Sequence, residues 1–304
     1  MERIKGIIPA VFTPMKKNGE IDTAQIKPVS DFLIDEKVAA FYVCGSTGEG
    51  PLLTTLERQL VTEAYIEAVA GRVNVIVQVG HNSIREAVLL ARHAAESGAD
   101  AISAVPPGYF KLNSLSVLID CMAEIATAAP DLPFYYYHVP VITGVDFDML
   151  ELLRQGQKKI PNLRGIKYTK PTIFEMQACI ELENQQFEIF FGTDEMMLSA
   201  LVAGVKGMVG STFNFAAPLY NSLIKAYEAK DLDKARSLQY NAVKMVRIFY
   251  KYGGQPAIKA TMRLIGLDCG HNLLPHKTLD AAQIDSLKND LQSIGFFNWA
   301  RKES

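Results

Sequence analysis

The chain has 304 residues, 49% of them hydrophobic, and a formal net charge of -2 from 31 basic and 33 acidic side chains. That suits one large α/β barrel or two ordinary domains, with enough apolar residues for a sizeable core. Both signs of charge are interspersed and no basic run occurs, which argues against an electrostatic platform for nucleic acid or for a membrane surface.

In chain order, Ile7 to Phe12 reads as a first buried strand and Asp22 to Glu36 as a helix. Ala39 to Cys44 is a second strand that closes in the turn Gly45-Ser46-Thr47-Gly48-Glu49-Gly50. Thr54 and Glu57 form a capping box for a helix running to Ala70. Asn74 to Val79 is a third strand, and Ser83 with Glu86 caps the next helix. Ala101 to Val105 is a fourth strand, followed by a helix from about Ser114. Phe134 to His138 is a fifth strand, Asp146 to Arg154 a helix, and the segment from Leu163 through Lys167 a sixth strand. Helix Ile173 to Leu182 leads to a seventh strand, Phe187 to Phe191. Met196 to Ala203 is helical, and Gly207 to Gly210 is a short eighth strand. Strands alternating with helices imply βαβ units and a parallel sheet. Eight such units imply a closed (β/α)8 TIM barrel over residues 1–215. The remainder, 216–304, reads as helices: Leu219 to Ala229, Leu232 to Tyr252, Ala257 to Ile265 and Ala281 to Ile294. With no flexible linker before them, they are expected to be a C-terminal helical extension of the same domain.

Four scattered cysteines, Cys44, Cys121, Cys179 and Cys269, read as reduced and mostly buried thiols of a cytosolic protein. The run Ile7 to Phe12 is short, contains Pro9 and precedes Lys16 and Lys17, so it does not read as a signal peptide. No apolar run is long enough to span a bilayer.

Arg164 to Thr169, R-G-I-K-Y-T, is the stretch on which the chemistry turns. Alternation puts Leu163, Gly165, Lys167 and Thr169 on one strand face and Ile166 and Tyr168 on the other. With both faces buried, Lys167 points into protein, where desolvation lowers its pKa and frees a nucleophilic amine able to form a Schiff base. Taken alone, a lysine at a strand end more often snorkels to solvent. Its surroundings decide the matter, because barrel active sites lie at the C-terminal strand ends. There the sequence gathers Ser46 and Thr47 in a glycine-rich turn, Tyr137, Thr169, Asp194 and Glu195, and Ser211. The turn is a nest suited to a carboxylate or phosphate, or simply a strand-to-helix connection. It lacks the G-K-[ST] of a P-loop and the G-x-G-x-x-G of a dinucleotide site. Tyr137 can relay a proton or belong to an aromatic core. Asp194 and Glu195 can act as acid and base, hold a metal, accept from sugar hydroxyls, or only begin a helix. The five histidines show no metal-ligand spacing, so no metal is expected. His138 reads as a packed histidine, and Lys170, past the strand end, as solvated.

These segments resemble the family of pyruvate-dependent class I aldolases and dehydratases, which includes N-acetylneuraminate lyases and dihydrodipicolinate synthases. The resemblance spans essentially the whole chain. It rests on G-S-T-G-E at Gly45 to Glu49, Y-H-V-P at Tyr137 to Pro140, G-I-K at Gly165 to Lys167 and G-T-D-E at Gly192 to Glu195. G-S-T-F-N at Gly210 to Asn214 and P-A-I-K at Pro256 to Lys259 extend it. It implies a barrel with C-terminal helices, a homotetramer, and no metal or organic cofactor. By the same resemblance Lys167 forms the Schiff base, Tyr137 relays the proton, and Ser46 and Thr47 bind the substrate carboxylate. Within the family, the synthases carry an arginine where Ile142 stands, and an isoleucine cannot pair with a carboxylate. Thr169, Gly192, Asp194, Glu195 and Ser211 instead fit the sialic acid lyase pattern, where they hold a polyhydroxyl tail. The resemblance thus implies reversible cleavage of a sugar acid, N-acetylneuraminate, with pyruvate as a product; the alternative is a related aldolase or dehydratase acting on another sugar or keto acid. Tyr109 matches an aromatic that in this family reaches a neighbouring subunit, but Gly108 replaces its usual partner.

Overall fold

Short β-branched, aromatic and glycine-containing runs form the eight strands of one sheet: β1 (Gly6–Pro9), β2 (Ala40–Val43), β3 (Asn74–Gln78), β4 (Ala101–Ala104), β5 (Phe134–His138), β6 (Leu163–Tyr168), β7 (Glu188–Phe191) and β8 (Gly207–Gly210). The computed structural model describes residues 2–300. The strand order is β1-β8-β7-β6-β5-β4-β3-β2, every ladder is parallel, and a bridge from Ala10 to Tyr42 links the first strand's exit to β2. Val11 N donates to Tyr42 O at that seam. The result is the expected (β/α)8 barrel. Helices fill its connections: α1 (Ile26–Asp35), α2 (Thr55–Val69), α3 (Ile84–Glu96), α4 (Leu115–Ala126), the single turn α5 (Pro140–Thr143), α6 (Met149–Gly156), α7 (Ile173–Glu181) and α8 (Met197–Val202). The C-terminal helices are α9 (Phe213–Glu228), α10 (Leu232–Lys251), α11 (Gln255–Leu264), α12 (Ala281–Ser293) and α13 (Phe296–Trp299).

Strand alternation divides the core in two. Ile8, Tyr42, Ile76, Tyr135, Tyr137 and Phe190 point into the barrel, while Ile7, Phe41, Val77, Tyr136, Ile166 and Tyr168 pack outward against the helices. On β6 the expected inner face holds for Gly165 and Lys167. Leu163 departs from it and joins the outer layer, because the β5–β6 register shifts between Phe134 and Tyr135. Gly165 is required by close packing, since a Cβ there would lie 1.7 Å from Glu188 O.

The expected capping box of Thr54 and Glu57 is present at α2. At α3 only half of the corresponding box forms: Ser83 accepts from Glu86 N, and the Glu86 carboxylate turns away to accept from the Thr55 hydroxyl at 2.6 Å. Several boundaries differ from the sequence pattern: β1 ends at Pro9 rather than Phe12, α1 begins at Ile26 rather than Asp22, and α6 begins at Met149 rather than Asp146. The α9 segment opens with a short turn from Phe213, is non-helical at Ala216 (φ -131°), and runs as a regular helix from beside Pro218, close to the expected start at Leu219; Pro218 lacks an N–H and fits the first turn after the kink. The α5 turn went unseen, four residues being too few for a periodic signal; Pro140 sits where its missing N–H costs nothing. Lys170 is not simply solvated: it is about one-quarter exposed and pairs with Asp146 at 2.9 Å. His138 is fully buried among Tyr136 and Tyr168, and desolvation pushes its pKa down to about 4. Among the described residues no helix is long and apolar enough to cross a membrane.

Candidate active site

The C-terminal ends of β5 to β8, the turn after β2 and the N-terminal end of α11 surround one open cavity of about 390 Å³. Lys167, Tyr137, Ser46, Thr47, Thr169, Gly192, Asp194, Glu195 and Ser211 all line it. The structure therefore brings together every site residue read from the sequence. Tyr109 is elsewhere: it is 81% exposed, stacked edge-on against Phe110 at 5.1 Å, with its N–H held by Asn82 Oδ1.

Lys167 extends from the inner face of β6 and is only 4% exposed. Its Nζ lies 3.8 Å from the ring centres of both Tyr42 and Tyr137. Those ring faces would favour an ammonium, but burial outweighs them and moves the pKa from the usual 10.5 to about 7, with Asp194's charge opposing the fall. Much of the amine is therefore neutral near pH 7 and able to attack a carbonyl. The Tyr42 and Tyr137 rings meet edge to face at 5.8 Å, which fixes the phenol beside the amine. Tyr42 is itself anchored by its hydroxyl to Ser103 Oγ at 3.0 Å. Burial raises the Tyr137 pKa, Asp194 adds to the rise, and the Ser46 hydroxyl opposes it by hydrogen bonding. Tyr137 thus stays protonated at neutral pH, as a proton carrier must at the start of a transfer.

The turn after β2 supplies two hydroxyls. Thr47 Oγ1 and Ser211 Oγ share a hydrogen bond of 2.7 Å, which ties this turn to the end of β8. Asp194 carries the negative charge of the opposite wall. Its Oδ2 accepts from Thr212 N at 2.9 Å and Thr212 Oγ1 at 2.6 Å, and Thr212 in turn contacts Tyr220 OH at 2.6 Å. Burial raises the Asp194 pKa to about 6 despite these donors. Gly210 makes room for this carboxylate, since a Cβ there would lie 2.0 Å from Asp194 Oδ1. Gly192 likewise lets the wall come close, because its Cβ would meet Thr169 Cγ2 at 2.5 Å. The Thr169 hydroxyl is already used, donating to His138 O at 2.7 Å, and Glu195 faces Tyr250, whose pKa its charge raises. Val139, Val141 and Ile142 form the apolar side. Among the described residues no group of three or more His, Cys, Asp or Glu side chains could hold a metal ion.

Sequence reasoning named Thr193 and Thr212 only as members of their motifs and missed Gln255 and Tyr250; all four line the cavity. Gln255 directly precedes the P-A-I-K segment, so a signal was present though its role was not visible. Tyr250 carried none, since it lies in a long amphipathic helix whose geometry relative to the barrel no local pattern reveals.

A parallel (β/α)8 barrel with a buried lysine of lowered pKa, a neighbouring phenol and a hydroxyl-bearing turn at its C-terminal rim defines an amine-nucleophile enzyme scaffold. The chain belongs to the dihydrodipicolinate synthetase family, whose sequence profile matches residues 3–294. It is 37% identical over 302 residues to the N-acetylneuraminate lyase of Mus musculus, covering 98% of this chain and 94% of that protein. Among solved structures, the N-acetylneuraminate lyase (sialic acid aldolase) of Aliivibrio salmonicida superposes with a TM-score of 0.95 at 35% identity, over 97% of this chain and 98% of that one. The N-acetylneuraminate lyase of Proteus mirabilis gives a TM-score of 0.94 at 33% identity, over 97% and 100% of the two chains.

Proposed function

We propose that the chain is a carbon–carbon lyase of the Schiff-base type, cleaving N-acetylneuraminate reversibly to N-acetylmannosamine and pyruvate. The observation that carries this reading is the Lys167 amine, buried, with a pKa of about 7, and 3.8 Å from the Tyr137 ring centre. The names of the relatives support the choice of substrate.

In the cleavage direction, Lys167 Nζ adds to the ketone of the open-chain sugar acid, and the ketone oxygen leaves as water. The resulting iminium draws the electron pair of the breaking carbon–carbon bond into an enamine. Tyr137, having given its proton to the ketone oxygen that left as water, takes the proton from the hydroxyl that becomes the aldehyde oxygen, and the aldehyde sugar departs. The same proton returns to the enamine carbon, and water hydrolyses the iminium to pyruvate and the free amine. Ser46 and Thr47 hold the carboxylate beside the amine. Thr169, Gly192, Asp194, Glu195 and Ser211 face the hydroxyl-bearing tail, where carboxylate acceptors suit a neutral polyol and are left unpaired by a substrate that lacks it. Ile142, at the mouth, offers no charge to a second carboxylate.

The same reading takes residues 216–304 as an extension of the 1–215 barrel, supported by α9 and α11 packing onto the strand ends and the site. It takes the protein as a cytoplasmic homotetramer of carbohydrate metabolism; the family resemblance and the exposed apolar side chains of Tyr109, Phe110 and Val141 support assembly. The test is pyruvate release from N-acetylneuraminate, with Lys167→Ala as control. Release by the wild type alone is expected. Release by both proteins would end the Schiff-base assignment.

A further inference from the structure

The G-S-T-G-E turn is closed by its own backbone, Glu49 N donating to Ser46 O and Gly50 N to Gly45 O at 3.0 Å each, and is also held from outside. Glu49 adopts a left-handed conformation (φ 56°) and buries its carboxylate completely. Lys259 Nζ, equally buried, donates to Glu49 Oε1 at 2.7 Å and to His271 O at 2.6 Å. Glu49 Oε2 accepts from Leu273 N at 2.7 Å. One turn earlier on the same helix, Gln255 Nε2 donates to Thr47 O at 2.7 Å. Residues four apart on a helix lie on one face, so α11 presents an amide and an ammonium side by side. The two groups grip the turn at Thr47 and Glu49, on either side of Gly48. From the barrel side, Thr13 Oγ1 donates to Gly48 O at 2.6 Å and closes the third contact.

We propose that Gln255 and Lys259 are positioning residues: α11 is a splint that sets the Ser46–Thr47 hydroxyls for a keto-acid carboxylate. This rests on the reading of that turn as the carboxylate site. A carboxylate that accepts from two adjacent groups needs both at once in a fixed orientation, whereas the amine on β6 is fixed by the barrel alone. Loosening the splint therefore weakens recognition of the carboxylate and leaves the nucleophile as it was. The C-terminal helices thereby become part of substrate binding and not only a cover for the barrel.

The experiment is reductive trapping with borohydride over a series of pyruvate concentrations, and in parallel with pyruvamide, which has the same ketone and no carboxylate. Amine addition expels the ketone oxygen as water, and hydride from borohydride converts the iminium to a stable secondary amine that mass spectrometry reads. Gln255→Met keeps the side chain's length and removes the donor. It is expected to raise the pyruvate concentration for half-labelling about tenfold, the effect of one lost hydrogen bond, and to leave pyruvamide labelling unchanged. In turnover, KM for the sugar acid rises while kcat holds. Lys259→Met is expected to shift pyruvate in the same direction; because it also strands Glu49, the decision rests on Gln255→Met. Equal pyruvate labelling in wild type and Gln255→Met overturns the splint, as does an equal loss on pyruvamide. A wild type that traps no pyruvate, or a Lys167→Ala variant that traps as well as wild type, overturns the underlying reading and the splint with it.

Discussion

Lys167 and Asp194 face one cavity, and burial moves both toward neutrality from opposite ends: the amine from 10.5 to about 7 and the carboxyl from 3.8 to about 6. Desolvation is the main cause in each case, and each group's charge restrains the other's shift. A site for a charged nucleophile would need to do the reverse. Here the barrel interior withholds solvent from the amine, and a single carboxylate keeps the amine's pKa from falling further.

The first consequence is a pH profile. The fraction of neutral Lys167 grows as pH rises through about 7, so the single-turnover rate of pyruvate trapping should climb across that region and level off above it. Stopped reactions with cyanoborohydride at a series of pH values read this directly. A rate independent of pH from about 6 to 8 would remove the neutral amine from the first step.

The same burial has a stability cost. The folded pKa of Lys167 is depressed, so between about 7 and 10.5 the unfolded chain binds the extra proton, and stability rises with pH in that window. Below about 7 the whole penalty is present. Lys167→Met removes it and should stabilise the fold by on the order of 4 kcal/mol near or below neutral pH, fading toward alkaline pH. Urea denaturation of both proteins at pH values on either side of this window measures the difference. A destabilised variant would show that the amine's packing matters more than its desolvation.

Asp194→Asn separates the two ends of the cavity. It keeps an oxygen to accept from Thr212 N and removes the charge that supports the Lys167 ammonium. The trapping midpoint should therefore move below about 7, while pyruvate is still trapped. Turnover of N-acetylneuraminate should fall by about one to two orders of magnitude in kcat/KM, since a charged acceptor facing a sugar hydroxyl is lost. An unmoved midpoint would place Asp194 too far from the amine to matter.

Much of this was readable from local pattern. The period-2 runs and helix caps gave the barrel, and the inner face of β6 placed Lys167 without any tertiary information. Tyr137, Asp194 and Ser211 followed because strand ends in a parallel barrel must converge. What was not readable depends on contacts far apart in the chain. Nothing near Glu49 announces that its partner is Lys259, 210 residues away. Thr169 reads as a free hydroxyl until His138 O is seen to accept from it. The short turn from Phe213 that precedes the kink at Ala216 was hidden because it is too brief to show a helical period.

Tyr137→Phe tests the proton relay without disturbing the aromatic pair, whose edge-to-face contact with Tyr42 does not use the hydroxyl. The expected result is a fall in kcat of about a hundredfold or more, with the melting temperature little changed. Pyruvate should still be trapped on Lys167, because amine addition does not require a proton from that phenol when water can supply one. A kcat within about threefold of wild type would assign the relay to another group.

The buried Glu49–Lys259 pair should show strong coupling in stability. Lys259→Met leaves a buried carboxylate with only Leu273 N and Asn272 Nδ2 to satisfy it, and should cost about 3–5 kcal/mol. Adding Glu49→Gln removes the stranded charge and keeps an oxygen for Leu273 N, so the double variant should recover part of that loss. Denaturant midpoints of the wild type, both single variants and the double variant close the cycle. Additive losses would mean that each side chain is held by its other hydrogen bonds and that the ion pair contributes little. Recovery in the double variant would instead show that what the fold cannot tolerate is one charge without the other.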